Sequence, residues 1–220
     1  MAELERDGDV WVLRMDDGEN RFNRGSIDSI HEALDTVSAA EGPAALVTTG
    51  AGKYYSNGLD LDWVMAGVDT EGFIDDVHRV FGRLLGLDVY TVAAVNGHAF
   101  AGGAMLASCH DVVVMREDRG YWCLPEVDLG LPLTPAMFAA VASHLPPKAL
   151  AEATLTGRRY SGPEAVAAGI AEEVAAEDRV LPRAVELAGA MAGKDRGVIA
   201  AHKALLRGDL IRTCGAEAPA

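Results

Sequence analysis

Two stretches of this sequence carry residue types that do chemistry together. Asn96-Gly97-His98-Ala99-Phe100-Ala101-Gly102-Gly103-Ala104-Met105-Leu106 begins as an apolar strand, breaks at glycines and restarts as a helix. Downstream, Leu124-Pro125-Glu126-Val127-Asp128-Leu129-Gly130 sets one carboxylate, Glu126, among apolar neighbours. Backbone N–H groups at a helix start have no intrahelical acceptor and favour negative charge nearby. A desolvated acid facing them suits chemistry on a carbonyl compound.

A third stretch, Tyr55-Ser56-Asn57-Gly58-Leu59-Asp60-Leu61, follows a buried strand and precedes a helix, with Asp60 near the first helical turn. Glycine lets the backbone turn sharply and approach a ligand. A free N–H near Leu59 is then one donor, and the N–H of Gly102 a second. Two such groups from separate strand–helix turns form an oxyanion hole. Taken alone, each turn reads more readily as a tight strand–helix connection. Glu126 alone reads equally as a surface glutamate after a proline, and Met105 as ordinary core.

The elements that must position these residues follow from periodicity. Val10 to Met15 alternates as a strand and ends at Asp16-Asp17-Gly18. Ser26 caps a helix through about Ser38, with Ile27, Ile30, Leu34 and Val37 on one face. Ala44 to Thr48 is a buried strand, followed by a Gly-rich loop from Gly50 to Gly58 and a helix from Glu71 to Leu85. Val89 to Val95 is a second buried strand, leading through the glycine turn to a helix from Gly102 to Ser108. Val112 to Met115 is a third. Ala136 to Ser143 and Pro147 to Thr154 read as helices. Ser161-Gly162-Pro163-Glu164 is a capping box opening a helix that stops at Gly169. Ile170 to Val174 reads as a strand, and helices over Leu181–Ala192 and Arg196–Leu206 finish the chain. Strands alternating with helices imply an α/β fold. Residues 1–155 form the core, and residues 156–220 a helical C-terminal region of the same domain, covering the site or packing in an oligomer.

Composition narrows the function. The 220 residues fit one domain, and half are apolar, enough for a sizeable core. A net charge of −14 argues against nucleic acid as a partner. Cys109, Cys123 and Cys214 have no metal-ligand spacing, and their odd number argues against a disulfide framework, so a reducing cytoplasm is expected. The acidic N-terminus, Met1 to Val10, does not read as a signal peptide, and Ala218-Pro219-Ala220 carries no address. Thr91 to His110 is uncharged over 20 residues, but Asn96, His98 and three glycines inside it favour a buried strand–turn–helix over a membrane span. No metal site is expected. His98 and His110 read as turn or core histidines, and Asp60 and Asp111 as turn-forming acids.

The ordered motifs Ser56-Asn57-Gly58-Leu59-Asp60-Leu61, Asn96-Gly97-His98, Ala101-Gly102-Gly103, Asp111, Pro125-Glu126-Val127-Asp128-Leu129-Gly130 and Leu155 to Ser161 resemble the crotonase, or enoyl-CoA hydratase/isomerase, superfamily. The resemblance runs from about Val10 to Leu206. It implies a spiral of ββα units, acyl-CoA substrates with coenzyme A as part of the substrate and no other cofactor, and a homotrimer or hexamer. It implies oxyanion donors at Leu59 and Gly102, and a substrate-binding surface at Ser56, Asn57, Gly58 and Met105, with Arg21 and Arg24 toward the coenzyme A nucleotide. Lys53 and Lys203 are further candidates for its phosphates, whereas Glu19 stands where some relatives have a basic residue.

Hydratases of this family hold a water between two glutamates. Here the first position matches Met105, which cannot exchange a proton, and the second matches Glu126. One glutamate resembles the Δ3,Δ2-enoyl-CoA isomerase branch. Asp128 is a candidate second acid if its segment is extended. The rivals are hydration or another thioester reaction on the same scaffold, and a non-catalytic acyl-CoA-binding protein.

Overall fold

Valine, leucine and alanine runs with no charge make strands that need cover on both faces. In the computed structural model, which describes residues 2–67 and 70–219, they form the middle of a six-stranded sheet. Met1 and Ala220, read above only for targeting signals, lie outside the described residues. The elements in chain order are β1 (Ala2–Asp7), β2 (Val10–Met15), α1 (Arg24–Ala39), β3 (Ala45–Gly50), β4 (Tyr54–Ser56), α2 (Leu61–Met65) and α3 (Thr70–Gly86). Then come β5 (Tyr90–Val95), β6 (His98–Phe100), α4 (Gly102–Ser108), β7 (Val112–Arg116), β8 (Trp122–Cys123), α5 (Glu126–Leu129), α6 (Pro135–Ala142) and α7 (Pro147–Thr156). The chain ends with α8 (Gly162–Ala168), β9 (Glu173–Ala175), α9 (Val180–Met191) and α10 (Arg196–Thr213).

The large sheet has the order β1-β2-β3-β5-β7-β9, antiparallel between β1 and β2 and parallel elsewhere. A small parallel sheet has the order β4-β6-β8. Each of β3, β5 and β7 is therefore followed by one strand of the small sheet and then by helix. This repetition is the ββα spiral. Period-two alternation splits the large sheet's side chains. Val10, Val12, Ala45, Val47, Val92, Ala94 and Val114 face α9, which meets them with Val180, Ala184, Ala188 and Ala192, one residue per turn. Leu13, Leu46, Ala93, Val95 and Val113 face the main core with α1, α3 and α4.

Where the chain passes between sheets, Asn96 ties neighbouring turns of the spiral together. Its side chain accepts from the Gly50 N–H (2.9 Å) and donates to the Gly52 carbonyl (3.2 Å). Gly97 lies against the Lys53 carbonyl, where a Cβ has no room. A buried network joins the sheets to α4. The His110 Nδ1–H donates to the Leu106 carbonyl (2.9 Å), which leaves Nε2 to accept from the Thr48 hydroxyl (3.0 Å). The Thr48 oxygen is then free to accept from the Tyr55 hydroxyl (2.7 Å). Burial lowers the His110 pKa to about 4, so the ring is neutral.

Several expectations are corrected. The cap of α1 is Asn23, whose side chain accepts from the Ser26 N–H (3.1 Å). Ser26 is the third helical residue and returns the bond to the Asn23 N–H (2.9 Å). The acidic N-terminal residues form edge strand β1, and the Gly-rich loop contains β4. The last helix continues past Leu206 to Thr213, packed along α3 and α6. The capping box at Ser161 and the stop at Gly169 are present as read. Among the described residues no helix is long and apolar enough to cross a membrane.

Candidate active site

The strands of the small sheet run parallel, so their carboxyl ends share one edge. From that edge β4 leads into Asn57-Gly58-Leu59, β6 into Ala101-Gly102 and β8 into Leu124-Pro125-Glu126. Since β6 is the central strand, Gly102 emerges between the other two segments. The topology thus brings together the three stretches singled out in the sequence.

The first donor loop is shaped from outside. Asn20 is buried and adopts φ 52°, a left-handed conformation that asparagine tolerates. Its amide donates to the Tyr54 and Tyr55 carbonyls (3.0 and 3.2 Å), and its carbonyl accepts from the Ser56 hydroxyl (2.7 Å). The Ser56 oxygen in turn accepts from the Gly58 N–H (3.2 Å). Phe22 then bridges to Leu59 in parallel fashion, donating to the Gly58 carbonyl (2.7 Å) and accepting from the Asp60 N–H (2.9 Å). Such a bridge uses the groups on either side of Leu59 and turns the Leu59 N–H the other way. That N–H has no protein acceptor among the described residues.

The Gly102 N–H, first in α4, is likewise without a protein acceptor among the described residues. The two loops touch at backbone distance. A Cβ on Gly58 (φ 76°) falls 2.7 Å from the Gly102 nitrogen, and a Cβ on Gly103 has no room against the Ser56 carbonyl. Glycine at 58 and 103 is what allows the donor loops to meet.

Glu126 opens α5, a four-residue helix, with Pro125 before it and the left-handed Gly130 closing it. Its Oε2 is buried with no hydrogen-bond partner, and it forms no ion pair among the described residues. Burial raises its pKa, partly offset by its own backbone N–H. Helix, not extended chain, corrects the reading of Asp128. Two residues along a helix is more than half a turn, and the Asp128 carboxylate lies instead at Gly157, whose Cβ would sit 2.5 Å from its Oδ2. Met105 is 1% exposed, one turn into α4, with its N–H on the Ala101 carbonyl (3.0 Å). It presents no proton-exchanging group.

The basic side chains are compensated. Arg21 pairs with Glu19 (2.7 Å) and approaches Asp60 (4.0 Å), and the Asn57 amide also donates to Glu19 (2.9 Å). Arg24 pairs with Asp76 and Asp28 and stacks over Phe73. A cleft of about 280 Å³ beside the first loop is lined by Asp17, Glu19, Arg21, Asn23 and Asp60, three acids to one cation. Lys53 lies over the Tyr54 ring. Lys203 is a correction: it is buried on Asp111 (2.7 Å) and the Val89 carbonyl (2.9 Å), with its ammonium committed inside the fold. Asp60 caps α2 through the Trp63 N–H (3.3 Å), and Asp111 accepts from Thr91 and pairs with Arg207 (3.0 Å), both as turn and anchor acids. His98 packs among Tyr54, Phe100 and Tyr121. Among the described residues no group of three or more His, Cys, Asp or Glu is placed to hold a metal. Sequence reading missed Asn20, although its position in the polar run Asp16 to Asn20 is a turn signal.

The site thus offers two backbone donors and one desolvated carboxyl at a shared edge. Comparisons with known proteins give the family. The enoyl-CoA hydratase/isomerase family model matches residues 5–216. The chain is 36% identical over 206 residues to the peroxisomal enoyl-CoA delta isomerase 2 of Arabidopsis thaliana, covering 88% of this chain and 86% of that protein. The structure of an enoyl-CoA isomerase of Mycobacterium tuberculosis is similar at a TM-score of 0.87 and 28% identity, covering 97% of this chain and 94% of the other. An enoyl-CoA hydratase of Mycobacterium marinum is similar at a TM-score of 0.87 and 27% identity, over 97% and 94% of the two chains.

Proposed function

This chain belongs to the enoyl-CoA hydratase/isomerase family and has the crotonase fold, and from that premise we propose that it is an enoyl-CoA isomerase, moving a double bond from C3–C4 to C2–C3 of an acyl-CoA thioester. The observation that carries this reading is the lone acid. Glu126 has a buried, unpartnered oxygen, while Met105 occupies the position matched to a hydratase's other glutamate.

One carboxylate suffices for a 1,3-proton shift. Glu126 takes the proton from C2, and the electron pair of that C–H bond flows into the thioester, leaving a dienolate. The N–H groups of Leu59 and Gly102 stabilise the charge on its oxygen. The protonated Glu126 then returns the proton to C4, and the double bond comes to rest between C2 and C3. Water is no reactant, and the apolar Met105 helps to exclude it. Burial makes Glu126 a stronger base than a solvated carboxylate. Gly58 lets the acyl group approach the first donor, while the side chains of Ser56 and Asn57 support that loop. Arg21 and Arg24 are proposed to face the coenzyme A nucleotide, each also paired with an acid.

The assembly is a homotrimer or hexamer, a reading supported by exposed Leu129, Leu131, Phe138 and Leu155 over α5 to α7. The free, buried thiols of Cys109, Cys123 and Cys214 support a reducing compartment such as the cytoplasm. The test is Glu126→Gln assayed with 3-enoyl-CoA. A loss of about 10²–10⁴-fold in kcat is expected for removal of an acid–base group, and near-full activity would overturn the assignment.

A further inference from the structure

Among the described residues only Asn20 and Ala101 adopt positive φ without being glycine. Asn20 is a residue type that tolerates this. Ala101 does not: φ 50° and ψ −123° is a region that strains a Cβ-bearing residue. The backbone is held there from both sides. The Ala101 N–H donates to the Cys123 carbonyl (3.0 Å), and the Ala101 carbonyl accepts from the Met105 N–H (3.0 Å). A glycine would make both bonds without the conformational cost. The methyl group therefore needs a reason beyond the turn.

Its surroundings supply one. A Cβ built on Gly58 would meet the Ala101 methyl at 2.9 Å and the Gly102 nitrogen at 2.7 Å. The methyl is thus seated against the Gly58 α-carbon, between the segment that carries the Leu59 N–H and the one that carries the Gly102 N–H. We propose that Ala101 is a positioning residue: its methyl is a spacer that sets the separation of the two oxyanion donors, and its strained backbone aims the Gly102 N–H at the shared oxygen. The inference rests on the oxyanion-hole reading above and adds the residue that tunes it. Donors act on a developing oxyanion only when fixed at hydrogen-bond distance from it, so loosened spacing lowers kcat more than ground-state binding.

The test is Ala101→Gly and Ala101→Ser, assayed with 3-enoyl-CoA beside Glu126→Gln. The glycine variant is compatible with the backbone at this position, so it folds. Expected are a Tm equal to or above wild type, kcat lower by about tenfold, and KM changed by less than about twofold. Serine keeps the Cβ and is expected to hold kcat within about threefold of wild type, less than 1 kcal/mol. Wild-type kcat in Ala101→Gly overturns the proposal, as does a serine variant as impaired as the glycine one. If Glu126→Gln is inactive while Ala101→Gly is unimpaired, only the spacer fails. If Glu126→Gln keeps its activity, the reading of the site itself fails.

Discussion

Among single residues, two side chains with opposite chemistry decide the proposed reaction. Glu126 has a folded-state pKa raised by burial. The proton-accepting form is the carboxylate, so kcat/KM should fall toward acid with a midpoint above the usual carboxylate range, and a pH–rate profile checks this. The same shift has a stability consequence. With the folded pKa above the unfolded one, stability is full below the unfolded value and declines as pH rises through the folded value. Glu126→Gln should therefore raise Tm at neutral pH while sharply lowering turnover, a trade expected of a functional site. Met105 is the counterpart. If it serves only as apolar wall, Met105→Leu should cost less than about 1.5 kcal/mol and keep isomerase activity, measured by denaturant melts and turnover. Both residues stood out in the sequence by type and motif position, and the structure buries Met105 and one Glu126 oxygen. The candidacy of Asp128 hung on an extended segment, and the helix over Glu126–Leu129 removes that condition. The strain at Ala101 left no trace, because alanine signals no preference for positive φ.

At the scale of elements, burial decided what could be read. The strands β3, β5 and β7 showed as uncharged apolar runs because both faces of their sheet are covered. The strands β4, β6 and β8, two or three residues each, are too short to show a period. Yet their parallel pairing is what brings three motifs to one edge. The acidic strand β1 carries only Ala2 and Leu4 as apolar positions, too few to show a period, and it is fixed by pairing with β2 and by those two side chains packed against the core. The elements are locked by buried polar groups, which makes two outcomes testable. Folding depresses the His110 pKa to about 4. Its contribution is present above the unfolded value of about 6.5 and lost as pH falls toward 4. The Tm difference between wild type and His110→Gln should shrink over that window. The helix α10 is anchored by Lys203 and Arg207 on Asp111. Asp111→Ala leaves a buried lysine uncompensated and should cost about 3–5 kcal/mol, lowering Tm by about 10 °C in thermal unfolding.

At the scale of the whole molecule, the spiral is a device for convergence. Each turn gives a strand to the large sheet, which builds the core, and a strand to the small sheet, which delivers one part of the site. The C-terminal region closes the architecture, with β9 joining the large sheet and α9 covering its outer face. Family members share this frame, so the reaction must be decided by the acids placed on it. One carboxylate, without a water-holding partner, is what makes the proposed isomerase. The most direct test supplies 3-enoyl-CoA to the intact protein and separates 2-enoyl-CoA from 3-hydroxyacyl-CoA as they form. Expected is rapid appearance of 2-enoyl-CoA, with water addition at least about 100-fold slower, the range in which one acid–base group acts. Hydration at a rate equal to or above double-bond migration would contradict it.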